Sequence, residues 1–165
     1  MDRPLDTENH KKSTNDFAGA KIKIAKYCAY QERAHLEVEQ KLYSLGITST
    51  EVQDLLAWLI TENYVNEERY AIAFAGGKFR IKKWGKLKIT RHLEQKKVSQ
   101  YNIDMALSHI DDKDYLITVQ ELISQKWKNT TANNIYELRN KVARHVISKG
   151  FEPAQVWELT KTIIT

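Results

Sequence analysis

The sequence predicts an all-α fold made of three tandem three-helix repeats. The main support is a set of four apolar positions, separated by four, five and five residues, that occurs three times along the chain. The three copies are Val38, Leu42, Ile47 and Val52; Ile89, Leu93, Val98 and Ile103; and Val142, Val146, Phe151 and Val156. Such repetition indicates one supersecondary unit used several times, with a core that continues into its neighbours. Only two prolines and six glycines occur in 165 residues, and this scarcity of helix-breaking residues favours helices throughout.

Each copy also carries the signals of a turn between two helices around its third apolar position. The residues before that position are Gly46, Lys97 and Gly150, and those after it are Thr48, Ser99 and Glu152. Glycine readily adopts the left-handed conformation that ends a helix, and a polar residue after it can cap the next helix. Thr48 with Glu51 three residues later matches a capping box. The four apolar positions are therefore predicted to be core residues between the second and third helices of each repeat.

The first helix of each repeat is predicted to begin at Asp16, Asn66 or Asp111, since Asp and Asn cap helix N-termini well. The second helices are predicted at residues 35–45, 86–96 and 135–149, and the third at residues 49–64, 100–110 and 153–164. Gly76 and Gly77 argue against an unbroken first helix in the second repeat, because each costs about 1 kcal/mol relative to alanine inside a helix.

These boundaries divide the chain into four segments. A polar segment at residues 1–15 is predicted to be a disordered tail, and repeat one follows at residues 16–65. Repeat two comprises residues 66–110, and repeat three comprises residues 111–165. Repeat three has extra residues before its first apolar position, and the surplus falls on the polar stretch 129–134. We expect a surface loop insertion there, a kind of variation that repeats tolerate.

Composition limits the classes of protein to which the chain can belong. The single cysteine, Cys28, cannot form an internal disulfide and suits a reducing compartment. The longest strongly apolar run, residues 55–60, is far too short to cross a membrane, and the polar N-terminal residues do not resemble a secretory signal. We therefore expect a cytoplasmic protein without a membrane partner, and a monomer is the simplest expectation.

Positive charge is concentrated in repeat two. The net charge of the chain is +5, but the nine basic residues between positions 78 and 97 are opposed only by Glu94. These residues, which we call the basic block, are Lys78, Arg80, Lys82, Lys83, Lys86, Lys88, Arg91, Lys96 and Lys97. A mildly acidic remainder with one basic block is typical of a protein that contacts a polyanion or an acidic protein surface.

The basic block admits two interpretations. It could be an ordinary solvated helix face, although ordinary surfaces mix both signs of charge. Alternatively it binds a partner whose negative charge offsets the cost of placing Lys86 and Lys88 at a helix start, where they oppose the helix dipole. We favour the second interpretation. If the partner is DNA, we expect phosphate contacts without sequence preference, because the third helices, which would read bases in a helix-turn-helix, are acidic or neutral.

Trp84 lies at the turn inside the basic block and is the aromatic candidate for the site. It could stack on a base or enter a pocket of a partner protein. A tryptophan beside a tight glycine turn more often fills a packing gap, and we favour packing. Trp58, Trp127 and Trp157 fall on apolar helical faces and are predicted to be core residues.

The sequence offers no constellation of residues typical of an enzyme. The five histidines show no metal-ligand spacing, and His35 with Glu39 is interpreted as a surface salt-bridge face. No glycine-rich phosphate loop occurs, and Cys28 lacks a nearby activating pair. We therefore predict no catalytic residue, no cofactor, no metal site and no enzymatic activity. His92 and His145 occupy equivalent repeat positions, which suggests a repeated boundary site.

Short motifs connect the repeat pattern with a known family. Repeat two opens with the string Glu67, Glu68, Arg69, Tyr70, Ala71, Ile72, Ala73, Phe74, and continues with Trp84, Gly85, Lys88, Ile89, Leu93, Lys96, Lys97 and Val98. Repeat one has the matching stretch Gln40, Lys41, Leu42, Leu45, Gly46 and Ile47. With three three-helix units and a basic middle unit, these motifs resemble the RecX family, regulators of the RecA recombinase, over residues 20–164. Lys97 departs from the family pattern, which usually has glycine there.

The resemblance implies a non-enzymatic protein that binds the RecA filament on DNA and mostly restrains it. It also implies an elongated, curved array of repeats that lies along the groove of the filament. The basic block and Trp84 are then the expected contact with RecA, with non-specific contact to DNA phosphates as a further expectation. The residues leave open an alternative, a sequence-independent DNA-binding protein that acts through phosphate contacts without a recombinase.

Overall fold

The computed structural model describes the backbone of residues 7–165 and the side chains of residues 16–165. Within these limits the chain forms nine α-helices and no β-strand, which confirms the predicted all-α fold. The helices are α1 (Thr7–Tyr30), α2 (His35–Ser44), α3 (Ser49–Thr61), α4 (Glu67–Lys82), α5 (Lys86–Gln95), α6 (Gln100–Ser108), α7 (Asp112–Lys128), α8 (Ile135–Ser148) and α9 (Pro153–Ile163). Among the described residues, no helix is long and apolar enough to span a membrane.

The chain divides into two compact units, Met1–Tyr70 and Ala71–Thr165, and the division falls inside α4. The first unit holds repeat one and the first turn of α4. The second unit holds the rest of repeat two together with repeat three. Residues of repeat three can therefore support the basic block within one compact body.

Repeat one is held by a core to which all three of its helices contribute. α1 packs against α2 and α3, and α2 packs against α3. The buried residues are Ala20, Ile24, Cys28, Val38, Leu42, Ile47, Val52, Leu55, Leu59 and Val65. Trp58 is half-buried against this core, and Trp127 and Trp157 are half-buried in repeat three. The three tryptophans predicted to be core residues thus lie at its margin, because an indole is too large to be fully enclosed by such small units.

The repeated apolar positions form the contact between the second and third helices of each repeat. α2 packs against α3, α5 against α6, and α8 against α9. All twelve positions are buried, and the most exposed of them, Ile47, retains only 8% of its accessible surface. The predicted core positions are therefore confirmed.

The turns between these helices also follow the sequence pattern. Gly46, Lys97 and Gly150 adopt positive φ angles of 78°, 58° and 95°, so lysine takes the left-handed conformation that glycine takes in the other two repeats. At the start of α3, the Thr48 N–H donates to Glu51 Oε2 over 2.8 Å and the Glu51 N–H donates to Thr48 Oγ1 over 3.4 Å. The predicted capping box is confirmed.

The predicted helix starts are correct in two repeats and wrong in one. The side chain of Asn66 accepts the Arg69 N–H over 2.8 Å, and that of Asp111 accepts the Asp114 N–H over 3.0 Å. In repeat one, α1 begins at Thr7 instead of Asp16, because residues 7–15 contain neither proline nor glycine to stop a helix. Of the predicted tail, residues 1–6 lie outside the described part of the chain, and residues 7–15 belong to the backbone of α1.

The second and third helices lie close to their predicted bounds. The largest difference is at the end of α3, which stops at Thr61 although the pattern extends to residue 64. Asn63 adopts a left-handed φ of 58°, which a continuing helix does not allow. Polar residues 129–134 connect α7 to α8.

α4 is continuous through Gly76 and Gly77, so the expected interruption of this helix does not occur. Its buried face carries Ala71, Ala75 and Phe79 on both sides of the glycine pair. Burial of these side chains offsets the helix-weakening effect of two glycines, which is about 1 kcal/mol each relative to alanine.

Candidate polyanion-binding surface

The basic block extends over the C-terminal half of α4, the turn at residues 83–85, α5 and the turn that follows it. Arg80, Lys82, Arg91 and Lys97 are exposed, whereas Lys78, Lys83, Lys86, Lys88 and Lys96 are half-buried. A ten-residue helix such as α5 is about 15 Å long, so cations at its two ends cannot reach the same small ligand. The block is therefore an extended strip of positive charge.

Two lysines of the basic block make cation–π contacts with the ring of Trp84. The Nζ atoms of Lys78 and Lys88 lie 5.1 Å and 4.7 Å from the Trp84 ring centroid, within the range of cation–π attraction. The imidazole of His92 packs on the same indole, with ring centroids 4.5 Å apart and planes tilted by 51°. Trp84 itself is half-buried. The favoured packing role thus includes packing against cations of the basic block.

Lys86 is directed to repeat three. Its Nζ lies 3.1 Å from Asp112 Oδ1 and 4.8 Å from the centroid of the Tyr115 ring. Because Asp112 is 94% exposed, this ion pair adds little stability. It does place an acidic group beside Lys86, so this residue offers less positive charge to a partner than the sequence indicates.

The first turn of α5 is capped by repeat three. The Gly85 N–H donates to the carbonyl of Lys149 over 2.9 Å, and the Leu87 N–H donates to the carbonyl of Gly150 over 3.0 Å. Between them, the Lys86 N–H donates to the hydroxyl of Tyr115 over 2.9 Å. The amides at the start of α5 are therefore occupied by protein groups and are not available to an anion.

Tyr115 joins this helix start to α9. Its hydroxyl donates to Glu152 Oε2 over 2.7 Å while accepting from the Lys86 N–H. Burial raises the pKa of the Tyr115 phenol well above its usual range, so the hydroxyl keeps its proton and remains a donor. The ring packs between Phe79 and Phe151, with centroid distances of 5.7 Å and 5.0 Å.

Two glycines permit this close approach of the two turns. A Cβ atom on Gly85 would lie 2.2 Å from the carbonyl oxygen of Gly150, and one on Gly150 would lie 2.2 Å from Cβ of Lys88. Neither distance is tolerable, and the atoms met by Gly85 belong to backbone that cannot rotate away. Gly85 and Gly150 are thus both required by packing, and the backbone and Cβ of Lys88 lie against Gly150.

The cations favour helix stability at the end of α4 but oppose it at the start of α5. Arg80 and Lys82 in the last turn of α4 interact favourably with the helix dipole. Lys86 and Lys88 stand in the first turn of α5, which contains no acidic residue, and there they oppose the dipole. A function for the charge at this helix start is the simplest reason for it.

Two lysines of repeat three are further basic residues that the sequence pattern missed. Burial, together with the charges of Lys126 and Lys149, lowers the pKa of His145. Lys149 also accepts the Gly85 N–H through its carbonyl, so its backbone touches the turn of the basic block. These lysines lie far from the block in sequence, so the density of charge within repeat two does not reveal them. Two signals in the sequence point to this region, namely the equivalence of His92 and His145 and the absence of acidic residues between Glu137 and Glu152.

The described residues contain no group of three or more potential metal ligands. The only cysteine in the sequence, Cys28, is buried in the core of repeat one, and burial raises the pKa of its thiol to about 11. A protonated, enclosed thiol is a poor nucleophile.

Sequence comparison places the site in a known context. Residues 66–107, which contain the entire basic block, match the family model described as RecX, second three-helix domain. The chain is 27% identical over 156 residues to Regulatory protein RecX of Lactococcus lactis subsp. lactis, covering 92% of this chain and 58% of that protein. It is 27% identical over 146 residues to Regulatory protein RecX of Lactobacillus johnsonii, covering 88% of this chain and 54% of that protein. The chain thus spans about half the length of the curated relatives it matches.

Solved structures agree with these sequence matches in fold. The crystal structure of RecX from Lactobacillus salivarius superimposes with a TM-score of 0.81 and 21% identity, over 91% of this chain and 97% of that one. A crystal structure of regulatory protein RecX gives a TM-score of 0.79 and 21% identity, over 97% of this chain and 79% of that one. Both show the three-repeat, all-α arrangement to be that of RecX. The resemblance to the RecX family that the sequence predicts is therefore confirmed.

Proposed function

We propose that this chain acts as a RecX-like, non-enzymatic regulator that binds the RecA filament on DNA and lowers recombinase activity in recombination and repair. The observation that carries the proposal is that the whole basic block lies in the segment similar to the second three-helix domain of RecX. The relatives that the chain matches are named regulatory proteins.

The exposed part of the basic block is the expected contact surface. Among the described residues, Arg80, Lys82, Arg91 and Lys97 are exposed and make no ion pair with an acidic side chain. These exposed positive charges, without acidic partners, attract a polyanion and accelerate association with it. A RecA filament on DNA presents phosphates, and their negative charge would suit this strip.

The decisive experiment is a titration of this protein into a cognate recombinase that is hydrolysing ATP on single-stranded DNA. We expect the hydrolysis rate to fall as the protein saturates the filament. A variant with Arg80→Glu, Lys82→Glu and Arg91→Glu should lose the effect, because three exposed attractive charges become repulsive. Lys23→Glu with Lys26→Glu, exposed lysines of α1, is the matched control and should retain most of it.

The same observation, unpaired exposed cations, also suits a DNA-binding protein that needs no recombinase. An unchanged rate of ATP hydrolysis at saturating protein, together with salt-dependent binding to bare DNA, would replace the first proposal by this second one. Circular dichroism of each variant confirms that its helices are intact, so a loss of effect cannot be attributed to unfolding.

A further inference from the structure

We propose that Lys78 and Lys88, held on the ring of Trp84, form a binding site for one phosphodiester group of a nucleic acid strand. This deepens the proposed function, since it rests on the choice of a filament on DNA as the partner and states that DNA is touched directly. Trp84 is a positioning residue in this site, and the two ammonium groups are the ligand-binding groups.

The geometry places two like charges beside one indole without a negative partner. Both Nζ atoms lie near one indole, at 5.1 Å and 4.7 Å from its centroid, so they cannot be further apart than these two distances combined. Among the described residues, neither lysine forms an ion pair. Two ammonium groups repel each other, and an anion bound between or beside them would remove this repulsion. Until an anion binds, cation–π attraction to Trp84 keeps the two ammonium groups in place.

Neighbouring residues restrict the movement of both lysines. Lys78 Nζ is also 5.2 Å from the Phe74 ring, so this side chain extends along an aromatic surface. The backbone of Lys88 is packed against Gly150, and its carbonyl lies 3.0 Å from Nδ1 of His92. A site whose charged groups are already ordered loses less side-chain entropy when a ligand binds.

The structure favours a phosphate over a stacked base. His92 and two ammonium groups surround the Trp84 ring, so a base would have to displace them in order to stack. The amides at the start of α5 are capped by repeat three and cannot add hydrogen bonds. What remains is a pair of lysine point charges, and lysine is a common phosphate-binding residue in proteins.

The surrounding charges favour a strand of nucleic acid as the source of this phosphate. Arg91 in α5 and Lys97 in the turn after it continue the positive strip beyond Lys88. A nucleic acid strand carries one negative charge per nucleotide at regular intervals, so its further phosphates can neutralise these residues at the same time.

The first test measures binding of the full chain to an oligothymidylate over a series of salt concentrations, without recombinase. Each neutralised phosphate of a single strand contributes about 0.7 to the slope of log K against log salt. We expect Lys78→Gln and Lys88→Gln each to weaken binding, and the double variant to lower this slope by about 0.7, because the two lysines share one phosphate. Lys21→Gln is the matched control, because Lys21 Nζ also lies over a tryptophan, 4.1 Å from the Trp58 centroid, but in repeat one. An unchanged affinity in both single variants, or an unchanged slope in the double variant, overturns the proposal.

Variants of Trp84 should change binding in a different way from variants of the two lysines, because Trp84 orders the site and carries no charge. Trp84→Leu should weaken binding several-fold and leave the salt slope unchanged, because both ammonium groups remain but are no longer ordered. Trp84→Phe keeps an aromatic ring and should recover most of the affinity, which also distinguishes positioning from damage to the fold. Trp58→Phe, the corresponding change in repeat one, should have no effect on binding. Equal affinity of Trp84→Leu and the unchanged protein would overturn the positioning role.

Two competing ligands identify what the site recognises. An abasic strand with the same number of phosphates should bind as tightly as the oligothymidylate, and a large loss of affinity would instead show base stacking. Polyglutamate of equal charge should compete poorly, and equal competition would show an acidic protein to be the ligand. Because no recombinase is present, these outcomes are independent of the ATP hydrolysis titration: either proposal can fail while the other stands.

Discussion

The starts of α2 and α5 are equivalent positions in repeats one and two, yet they are capped in different ways. In repeat one the Ala34 N–H donates to Glu37 Oε2 over 3.1 Å, so the helix is capped by its own first turn. In repeat two the corresponding residues are Gly85 and Lys88, and lysine has no acceptor to offer. The Gly85 N–H is instead bonded to Lys149 of repeat three.

This difference shows how a repeat can acquire a charged surface without losing its fold. Capping by a neighbouring repeat removes the need for an acidic residue one position before the first buried anchor. That position is Glu37 in repeat one and Lys88 in repeat two. The exchange turns a carboxylate into one of the two ammonium groups beside Trp84. It also makes the basic block dependent on contact with repeat three.

The largest effect should come from breaking the contact between the turns with Gly85→Ala. The added Cβ would meet the Gly150 carbonyl, and we expect the second unit to lose about 3 kcal/mol of unfolding free energy. Urea denaturation followed by circular dichroism measures this change. Gly77→Ala is the matched control in the same repeat, because a Cβ there meets no atom within 4 Å. It should raise the stability of α4 by up to about 1 kcal/mol, and equal effects of both variants would contradict the packing explanation.

A smaller effect is expected from removing only the polar part of the contact. Tyr115→Phe deletes the hydroxyl and leaves the Lys86 N–H and Glu152 without it, at a cost of about 2 kcal/mol. Thermal unfolding of this variant should be compared with that of Tyr101→Phe. Tyr101 is 70% exposed, so removal of its hydroxyl should leave stability unchanged. Similar stabilities of the two variants would show that the Tyr115 hydroxyl contributes little.

Exchanging the charges at Glu37 and Lys88 tests directly whether the two helix starts are capped in different ways. Glu37→Lys should destabilise repeat one by about 1 kcal/mol, because the cap is lost and a cation opposes the helix dipole. Glu37→Gln retains an acceptor and should recover most of the loss. Lys88→Glu should leave repeat two as stable or slightly more stable, while binding to nucleic acid weakens. A loss of stability in both exchanges would mean that capping does not distinguish the repeats.

The smallest effect concerns the turn after α5, where the two repeats differ only in side chain. Lys97→Gly should stabilise the protein by about 0.5 kcal/mol, since relief of the left-handed backbone is partly cancelled by the entropy of glycine in the unfolded chain. Gly46→Lys, the mirror change in repeat one, should destabilise by a similar amount, because a Cβ at Gly46 meets no neighbour and only backbone strain remains. Denaturation midpoints of the two variants should therefore shift in opposite directions.

Much of the fold is predictable because its signals are local. The buried anchors, the left-handed turns and the caps at Asn66, Thr48 and Asp111 all follow from residues within four or five positions of each other. The two wrong predictions, the start of α1 and the interruption of α4, also came from the residue types at single positions. Asp16 is a good cap residue by type, but nothing before it stops α1, and the glycine pair in α4 is outweighed by burial on the opposite face.

The candidate site is predictable in composition but not in arrangement. The sequence identifies the nine cations and Trp84, because density of charge is visible along the chain. It does not show that Lys86 faces Asp112, or that Lys78 and Lys88 share one indole. Those pairs depend on the angle between α4 and α5 and on the position of repeat three.

The sequence by itself determined that this chain is a set of helical repeats with a basic middle unit resembling RecX, since periodicity, turn residues and charge are properties of neighbouring positions. Only the tertiary structure decided that repeat three caps α5 through Tyr115, Lys149 and Gly150. Hydrogen bonds between such distant residues leave no periodic signal in the chain. They form where two turns approach closely enough that only glycine fits, and this contact packs the backbone of Lys88 in the basic block against Gly150 of repeat three.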